Sequence, residues 1–350
     1  MRRLSTKALM IAICAALISV ACGGTSEPKP VGVESFSVAI PGAQSAFALP
    51  YLAEELGFFK DAGVAVTFTS GVGSNGTSLV VTGQADVTMF GTTASFPPVA
   101  QGRSTTSIFS HIGGGVGANV AVLANSRYQS LMDLSGQRVA VIGTTGAGYG
   151  ETQVYSKYVV DHGGKPFEIV PASNATTMVD MLKAGRAAAT VSNKGFYAQS
   201  LVDGTFRLIV DMANLADRTR YFGGYFAEAT IFGLTDNLKT RKEATIRFLV
   251  GIDKANTWLL KHKPSEVASV LQKHPFFAPI PANLLEFDIE STTPFETTTR
   301  GRITQQMWNL SLQIFSTWNT PGVDVSSPDF SYAKRVDMSY LDAAQARVGG

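Results

Sequence analysis

The stretch from residue 37 to residue 68 constrains the fold most, because its apolar pattern changes period twice. A short apolar run around Val38 predicts a strand, and apolar residues then recur at the spacing of a helix that Gly63 is expected to end. The helical positions are Leu49, Leu52, Ala53, Leu56 and Phe59. Beyond the glycine, apolar and polar residues alternate as in a half-buried strand, with the apolar positions at Val64, Val66 and Phe68. The stretch therefore predicts a strand–helix–strand unit, which favours an α/β fold with largely parallel pairing.

The alternation of strands and helices continues along most of the chain. Further strands are predicted at VTMF (87–90), TTSIFSHIG (105–113), RVAVIG (138–143) and FRLIV (206–210). We expect two glycine-containing stretches, 113–125 and 223–233, to cross between two lobes. From residue 237 onward the apolar spacing becomes helical.

Seven residues of the first quarter match the pattern of a known family. That pattern is a helix leading into Gly-Phe-Phe, then a glycine and a strand, then a turn containing Gly-x-Ala-Asp. Its places are occupied here by Gly57, Phe58, Phe59, Gly63, Gly83, Ala85 and Asp86. The run DLSGQRVAV at 133–141 adds the usual entry to a second lobe. Over roughly residues 36–260 the chain resembles the substrate-binding proteins of ABC importers for sulfonates, taurine, nitrate and the thiamine pyrimidine precursor.

The resemblance implies a type II periplasmic binding fold, in which two α/β lobes joined by a hinge close on a ligand. A C-terminal helical region would pack on the first lobe. We expect the first lobe to contain 36–120 and 226–350, and the second lobe to be 121–225. Residues 1–21 are predicted to be a signal peptide, and 22–35 a lipidated cysteine with a flexible tether.

The N-terminal residues resemble a bacterial lipoprotein signal. A basic start precedes a short apolar stretch that ends at Ala21-Cys22-Gly23. In such signals the cysteine is lipidated after cleavage, so Cys22 would anchor an exported protein to the membrane. The alternative is an ordinary secretory signal in which Cys22 is incidental, and Ser19, where such signals usually have Leu or Val, leaves that alternative open.

Charge and cysteine content argue against several function classes. The chain has 29 Lys and Arg against 27 Asp and Glu, and residues 1–21 hold three of the bases and no acid, so the remainder is nearly neutral. That balance gives no electrostatic footprint for nucleic acid. The two cysteines, Cys14 and Cys22, leave no pair for a disulfide after processing and no cluster for a metal.

Polar loops after the predicted strands are candidate ligand sites, because ligands of open α/β sheets lie beyond the carboxyl ends of the strands. In the first lobe, Gln44 offers a donor and an acceptor, Ser74 or Asn75 begins a helix, and Thr92 and Thr93 add hydroxyl groups. Helix starts present free N–H groups that favour an anion. Each of these residues can instead be a helix cap or a solvated loop residue.

The predicted second lobe offers Thr145, Gly146 and Ala147 at a helix start, and Asn193 after a strand. Their glycine spacing does not match a dinucleotide-binding motif, so an anion-binding helix start fits better. The arginines at 218 and 220 are either cations for an acidic ligand or exposed loop charges.

The chain shows no catalytic motif: the four histidines are scattered, and there is no nucleophile elbow or P-loop. Together with the resemblance, which implies a solute-binding protein, this leads us to expect a monomeric, non-enzymatic protein without cofactor or metal. It would capture a small organic anion, such as a sulfonate, a taurine-like compound or a carboxylate, and deliver it to an ABC permease and ATPase. A periplasmic sensor is the alternative. An enzyme of the thiamine-pyrimidine branch is a third class, but the chain lacks that branch's cysteine cluster.

Overall fold

The computed structural model describes residues 32–42, 44–70, 75–144, 146–296, 299–318 and 321–349. The predicted signal peptide, Cys22 and most of the tether lie outside the described residues, as do Ser74 and Thr145. Val33–Gly350 forms one compact unit. Among the described residues, no helix combines the length and apolarity needed to cross a bilayer.

Two mixed five-stranded sheets organise the chain. The first has the order β2-β1-β3-β10-β4, and the second β7-β6-β8-β5-β9. The strands are β1 Glu34–Ile40, β2 Val64–Ser70, β3 Val87–Gly91, β4 Thr105–Gly113, β5 Asn119–Leu123, β6 Arg138–Ile142, β7 Glu168–Ala172, β8 Ala189–Ser192, β9 Phe206–Val210 and β10 Ala227–Leu234. We call the elements around the first sheet the first lobe and those around the second sheet the second lobe.

The two sheets share one pairing pattern. In the first, β1 pairs in parallel with β2 and β3, and β10 pairs antiparallel with β3 and β4. In the second, β6 pairs in parallel with β7 and β8, and β5 pairs antiparallel with β8 and β9. Each sheet thus has a parallel half built from strand–helix–strand units and an antiparallel half. The antiparallel halves contain the strands that enter and leave the second lobe.

The helices, including short ones, are α1 Ala48–Glu55, α2 Phe58–Asp61, α3 Asn75–Val81, α4 Phe96–Ala100, α5 Ala147–Asp161, α6 Ala175–Lys183, α7 Ala198–Val202, α8 Leu215–Phe222, α9 Thr235–Thr240, α10 Lys242–Leu259, α11 Pro264–Leu271, α12 Ala282–Glu296, α13 Gln305–Phe315, α14 Tyr332–Arg335 and α15 Ser339–Val348. Short 3-10 helices lie at Ser45–Phe47, Thr92–Ser95, Leu131–Leu134, Lys194–Tyr197, Ser316–Trp318 and Pro328–Phe330.

The prediction of a single helix between the first two strands is wrong in one respect, because the structure has two helices there, α1 and α2. Gly57 separates them with a φ of 76°, a left-handed conformation that ends α1 and that residues with side chains rarely adopt. Helical apolar spacing continues across the break because both helices bury the same side. Tyr51 and Phe59 are buried in the core there.

The C-terminal helices pack on both lobes. α10 lies on α1, α2 and β1 of the first lobe, and α15 packs on α10. In contrast, α12 contacts α7 in the second lobe, and Ser316–Trp318 contacts α5. The expectation that this region packs on the first lobe is therefore correct for α10, α11, α13, α14 and α15, and incomplete for α12 and Ser316–Trp318, which also contact the second lobe.

Candidate ligand-binding cleft

Segments that follow strand ends in the two lobes converge on α12. Ser45–Phe47 comes after β1 of the first lobe, and Lys194–Tyr197 comes directly after β8 of the second. Helix α12 contacts both segments. The carboxyl ends of parallel strands are the usual place for ligands in open α/β sheets. The gap between these segments is therefore the candidate cleft.

Asp288 of α12 lies between the strand-end segments of the two lobes. Its Oδ2 accepts the Ser45 N–H at 3.0 Å, and the Ser45 hydroxyl lies 2.6 Å from that of Thr292. On the other side, a Cβ atom at Gly195 would collide with Asp288 Oδ1. Burial raises the pKa of Asp288, although the hydrogen bonds from Ser45 partly oppose the shift. One carboxyl group thus touches strand-end segments of both lobes.

A second bridge joins the C-terminal region to α5. The Trp318 indole lies where a Cβ atom of Gly150 would be, so only glycine fits at that position of the helix. The Gln153 carboxamide, in the orientation that satisfies both its groups, donates to the carbonyls of Thr317 at 2.8 Å and Trp318 at 3.2 Å. The first turns of α5, a predicted ligand-binding element, are therefore held by this segment.

Three predicted site residues have side chains free for a ligand. Gln44 and Thr93 in the first lobe and Asn193 in the second are half-buried. Gln44 and Asn193 form no side-chain cap bond to the helices that follow them, and none of the three side chains has a hydrogen bond to another described residue. Half-buried polar groups without protein partners fit a surface that is completed by water or by a bound solute.

Thr92 has a different role. Its side chain is fully buried, and its hydroxyl donates to the Ala227 carbonyl at 2.8 Å. It also lies 3.5 Å from the Thr230 hydroxyl, which is in turn 3.1 Å from Ser107. Thr92 therefore ties the end of β3 to β10, and the structure gives its side chain no exposed surface for a ligand.

The remaining predicted residues lie at helix starts. Asn75 is exposed at the start of α3. Gly146 is exposed with a φ of 92° and caps α5, whose first residue is the half-buried Ala147. Free N–H groups at the start of α5 are suited to an anionic group. Ser74 and Thr145, which flank these residues, lie outside the described residues.

The ammonium group of Lys194, shortly after β8, is already paired. Lys194 is largely buried, and its Nζ lies 2.7 Å from Asp211 Oδ1. An anion in the cleft would therefore be held by N–H and hydroxyl donors rather than by this ammonium group. The described residues also contain no group of three His, Cys, Asp or Glu side chains suited to a metal.

The described histidines do not form a nucleophile–base pair. His162 and His262 each bond a backbone carbonyl, and His274 lies 3.4 Å from Glu54. His111 is fully buried, and burial lowers its pKa to about 3. No hydrogen bond joins a histidine to a Ser or Thr hydroxyl within the part of the chain that the structure describes.

Sequence reasoning missed the residues at the centre of the cleft. Ser45 lies beside the predicted Gln44, and its loop had been identified as a candidate. Asp288 belongs to α12, which the apolar pattern did not predict. Gly195 lies two positions after the predicted Asn193. Its close approach to the Asp288 carboxylate, 93 positions away in the chain, cannot be recognised from the neighbouring sequence. Arg218 is a further correction: it is buried on α8, where its guanidinium donates to a backbone carbonyl, and not exposed on a loop.

Comparison with known proteins places these features in a family. The NMT1/THI5 like family matches residues 44–266. No curated protein matches the chain. Among solved structures, the aliphatic sulphonate binding protein SsuA from Escherichia coli superposes with a TM-score of 0.65 at 14% identity, covering 84% of this chain and 96% of that one.

Two further structures share the fold with different stated roles. The nitrate-binding protein NrtA from Synechocystis PCC 6803 has a TM-score of 0.60 at 14% identity, covering 90% of this chain and 89% of its own. The desulfurization enzyme DSZB has a TM-score of 0.58 at 15% identity, covering 90% and 99%. At these identities the likeness concerns the fold, and it confirms the predicted class of two α/β lobes with a helical C-terminal region. Because the family match spans well over half of its residues, the chain belongs to the NMT1/THI5-like family.

Proposed function

We propose that this protein is an extracytoplasmic solute-binding protein that captures a small organic anion between its two lobes. The observation that carries the proposal is the convergence of strand-end segments from both lobes on α12. Around that point, polar side chains from each lobe have no partner among the described residues. The fold is shared with SsuA, an aliphatic sulphonate binding protein, and with NrtA, a nitrate-binding protein, and this likeness supports a small anion.

The proposed ligand is a sulfonate, a taurine-like compound or a small carboxylate. Gln44 and Thr93 would contact it from the first lobe, and Asn193 and the start of α5 at Gly146–Ala147 from the second. We also propose Ser74, Asn75 and Thr145 as contacts at neighbouring helix starts. Neutral donors suit an anion that must be released again, because a hydrogen bond from a neutral donor is weaker than one from a charged donor.

The same proposal includes export, attachment to the membrane and delivery of the ligand to a transporter. Residues 1–21 would direct export, and Cys22 would carry the lipid that anchors a monomeric protein outside the membrane. Residues 36–120 with 226–350 and residues 121–225 would move as the two lobes, and the closed form would deliver its ligand to an ABC permease and ATPase. Mass spectrometry of the mature N-terminus tests the anchor, because an unmodified Cys22 in the membrane fraction contradicts it.

The binding role is tested by thermal unfolding of residues 23–350 with sulfonates, taurine, nitrate, carboxylates and pyrimidines. A ligand at about 100 times its Kd adds roughly 2.7 kcal/mol to stability, which shifts the midpoint measurably. We expect a shift with one anion class. No shift with any member of the panel contradicts the proposed ligand class.

Matched substitutions test the location of the site. Gln44→Ala and Asn193→Ala each remove, from a different lobe, a polar group that has no partner among the described residues. We expect each to weaken binding about tenfold, as for the loss of one hydrogen bond to a charged ligand. Gln84→Ala changes an exposed residue and serves as the control. Wild-type affinity in both cleft variants would place the site elsewhere.

An enzyme is the second candidate, because DSZB shares the fold. The described histidines, however, form no pair with a hydroxyl nucleophile. Incubation of the protein with the ligand found above, followed by mass spectrometry of the small molecule, separates the two functions. Recovery of unchanged ligand supports binding, and a new product supports catalysis.

A further inference from the structure

Two glutamates that the proposed site does not use meet at the junction of the lobes. Glu228 lies at the start of β10, where the chain returns from the second lobe, and Glu151 lies on α5. They are only 4% and 0% exposed. Gly117 lies in the segment that leads from β4 of the first lobe to β5 of the second, which we call the first crossing. A Cβ atom at Gly117 would lie 3.1 Å from Glu228 Oε1 and 2.8 Å from Glu151 Oε2. Both carboxyl groups therefore face the same point of that crossing.

The two carboxyl groups are satisfied unequally. Glu228 accepts the N–H groups of Val116 at 2.6 Å and Gly117 at 3.0 Å. The two oxygens of Glu151 have no hydrogen-bond donor among the described residues. A buried carboxylate without a donor is costly, and a second carboxylate beside it increases the cost. One shared proton removes both costs, because a protonated Glu151 can donate to the Glu228 carboxylate.

The charged and titratable groups around the pair fit a single negative charge. On α8, the buried Arg218 donates to a backbone carbonyl at 2.8 Å and is within electrostatic range of Glu228. On α5, the Tyr155 hydroxyl donates to the Ala118 carbonyl at 2.5 Å and is within electrostatic range of Glu151. One guanidinium balances one carboxylate, whereas two ionised carboxylates would leave an excess charge in the interior.

The proton belongs on Glu151. Burial raises the pKa of both carboxyl groups, and the neighbouring Glu228 raises the pKa of Glu151 further. The N–H groups of the first crossing and the hydrogen bond from Glu151 act in the opposite direction on Glu228. Glu228 is therefore the ionised member of the pair.

The pair lies where the lobes are joined. Gly114 and Gly115 in the first crossing have φ values of 82° and 86°, and Gly223 and Gly224 in the second have 76° and 132°. Such glycines tolerate changes of backbone direction at a hinge. A rotation that moves α5 away from the start of β10 separates the two carboxyl groups and admits water between them.

We propose that Glu151 and Glu228 share one proton in the closed protein and that opening of the lobes releases it. The hinge then couples closure to proton uptake. The consequence for ligand capture rests on the proposed binding function: affinity should fall up to tenfold per pH unit while the open form is ionised and the closed form is protonated. The shared proton itself is independent of any ligand, so it is tested without one.

The first test compares the ligand-free protein with Glu151→Gln, which keeps a donor for Glu228 but cannot titrate. A group whose pKa is raised by folding stabilises the protein fully below its unfolded pKa, and that contribution is lost as pH rises through the folded pKa. Between pH 5.5 and 8.5 we expect the wild-type Tm to fall relative to the variant by about 2–4 °C per pH unit. Glu243→Gln is the control and should keep the wild-type slope.

Two measurements on the unmodified protein decide the question if the variant does not fold. Infrared spectroscopy should show the carbonyl band of a protonated carboxyl group at neutral pH, and small-angle scattering should show a radius of gyration that increases as pH rises. Absence of the band, or equal pH slopes for wild type and Glu151→Gln, overturns the shared proton. A band with a pH-independent radius of gyration overturns its coupling to closure.

Discussion

Glu243 and Glu228 have the same side chain in opposite surroundings. Glu243 lies near the surface of α10, where Arg347 contacts both of its oxygens at 2.9 Å and Arg247 contacts one at 2.8 Å. Those hydrogen bonds lower its pKa to about 2. Glu228 lies at the start of β10, at the junction of the two sheets that we propose as a hinge, and burial raises its pKa there in spite of two backbone donors. Solvent and partners, not the residue type, decide the direction of the shift.

The difference predicts opposite responses of the two regions to pH. A carboxyl group whose pKa is lowered by folding stabilises the protein at neutral pH and loses that contribution in acid. A pair whose pKa is raised stabilises it in acid and loses that contribution as the pH rises. The edge formed by α10 and α15 should therefore weaken below about pH 4.5, and the hinge should weaken above it.

The largest expected loss of stability comes from removing the Glu228 carboxyl group. Glu228→Ala leaves the N–H groups of Val116 and Gly117 buried without their acceptor and removes the partner of Glu151. We expect a loss of about 2–4 kcal/mol of unfolding free energy at pH 6, as for the removal of one member of a buried polar network. Urea unfolding measures the loss, with Glu243→Ala as the surface control. A loss no larger than that of the control would mean that the hinge carboxyl is not structurally important.

A smaller loss of stability is expected when a methyl group is added beside the Glu151–Glu228 pair. Gly117→Ala places a Cβ atom 2.8 Å from Glu151 Oε2, so that side chain has to shift away from its neighbour. We expect about 1–2 kcal/mol of destabilisation, the usual cost of a modest overpacking. Gly91→Ala is the matched control, since its Cβ would have only Thr93 Oγ1 at 4.0 Å. Equal unfolding midpoints for the two variants would show that the junction has more space than these distances allow.

Local patterns predicted much of the fold. TTSIFSHIG and FRLIV are the full lengths of β4 and β9, since alternating or continuous apolar residues reflect burial on one or two faces of a sheet. Helix α12 was missed because its sequence, ANLLEFDIESTTPFE, mixes few apolar residues with hydroxyl and acidic ones. Its buried face combines Leu285 and Ile289 with the polar Thr292, so the apolar spacing along the helix is weak.

The cleft and the hinge were less accessible to sequence reasoning, because they depend on residues far apart in the chain. Ser45 and Asp288 are 243 positions apart, and Glu151 and Glu228 come from different lobes. A sequence shows that a carboxyl group is present, but burial and the nearest donor decide whether it is ionised. Gln44, Thr93 and Asn193 remain predictions, which rest on the rule that residues after parallel strand ends share a place in every such sheet.

The smallest expected loss of stability concerns Glu243, the more exposed of the two glutamates. Glu243→Gln keeps the shape of the side chain and removes its charge, so the ion pairs with Arg347 and Arg247 are lost. Because about half of the Glu243 side chain is exposed, solvent screens these pairs, and we expect only about 0.5–1 kcal/mol of destabilisation at pH 7. The difference from wild type should disappear as the pH falls from 4.5 toward 2, where the native carboxyl group is protonated too. It should also shrink at 1 M salt, where the Debye length is about 3 Å. Urea unfolding at both pH values and both ionic strengths measures it, and a loss that persists in acid would mean that the side chain acts through packing and not through its charge.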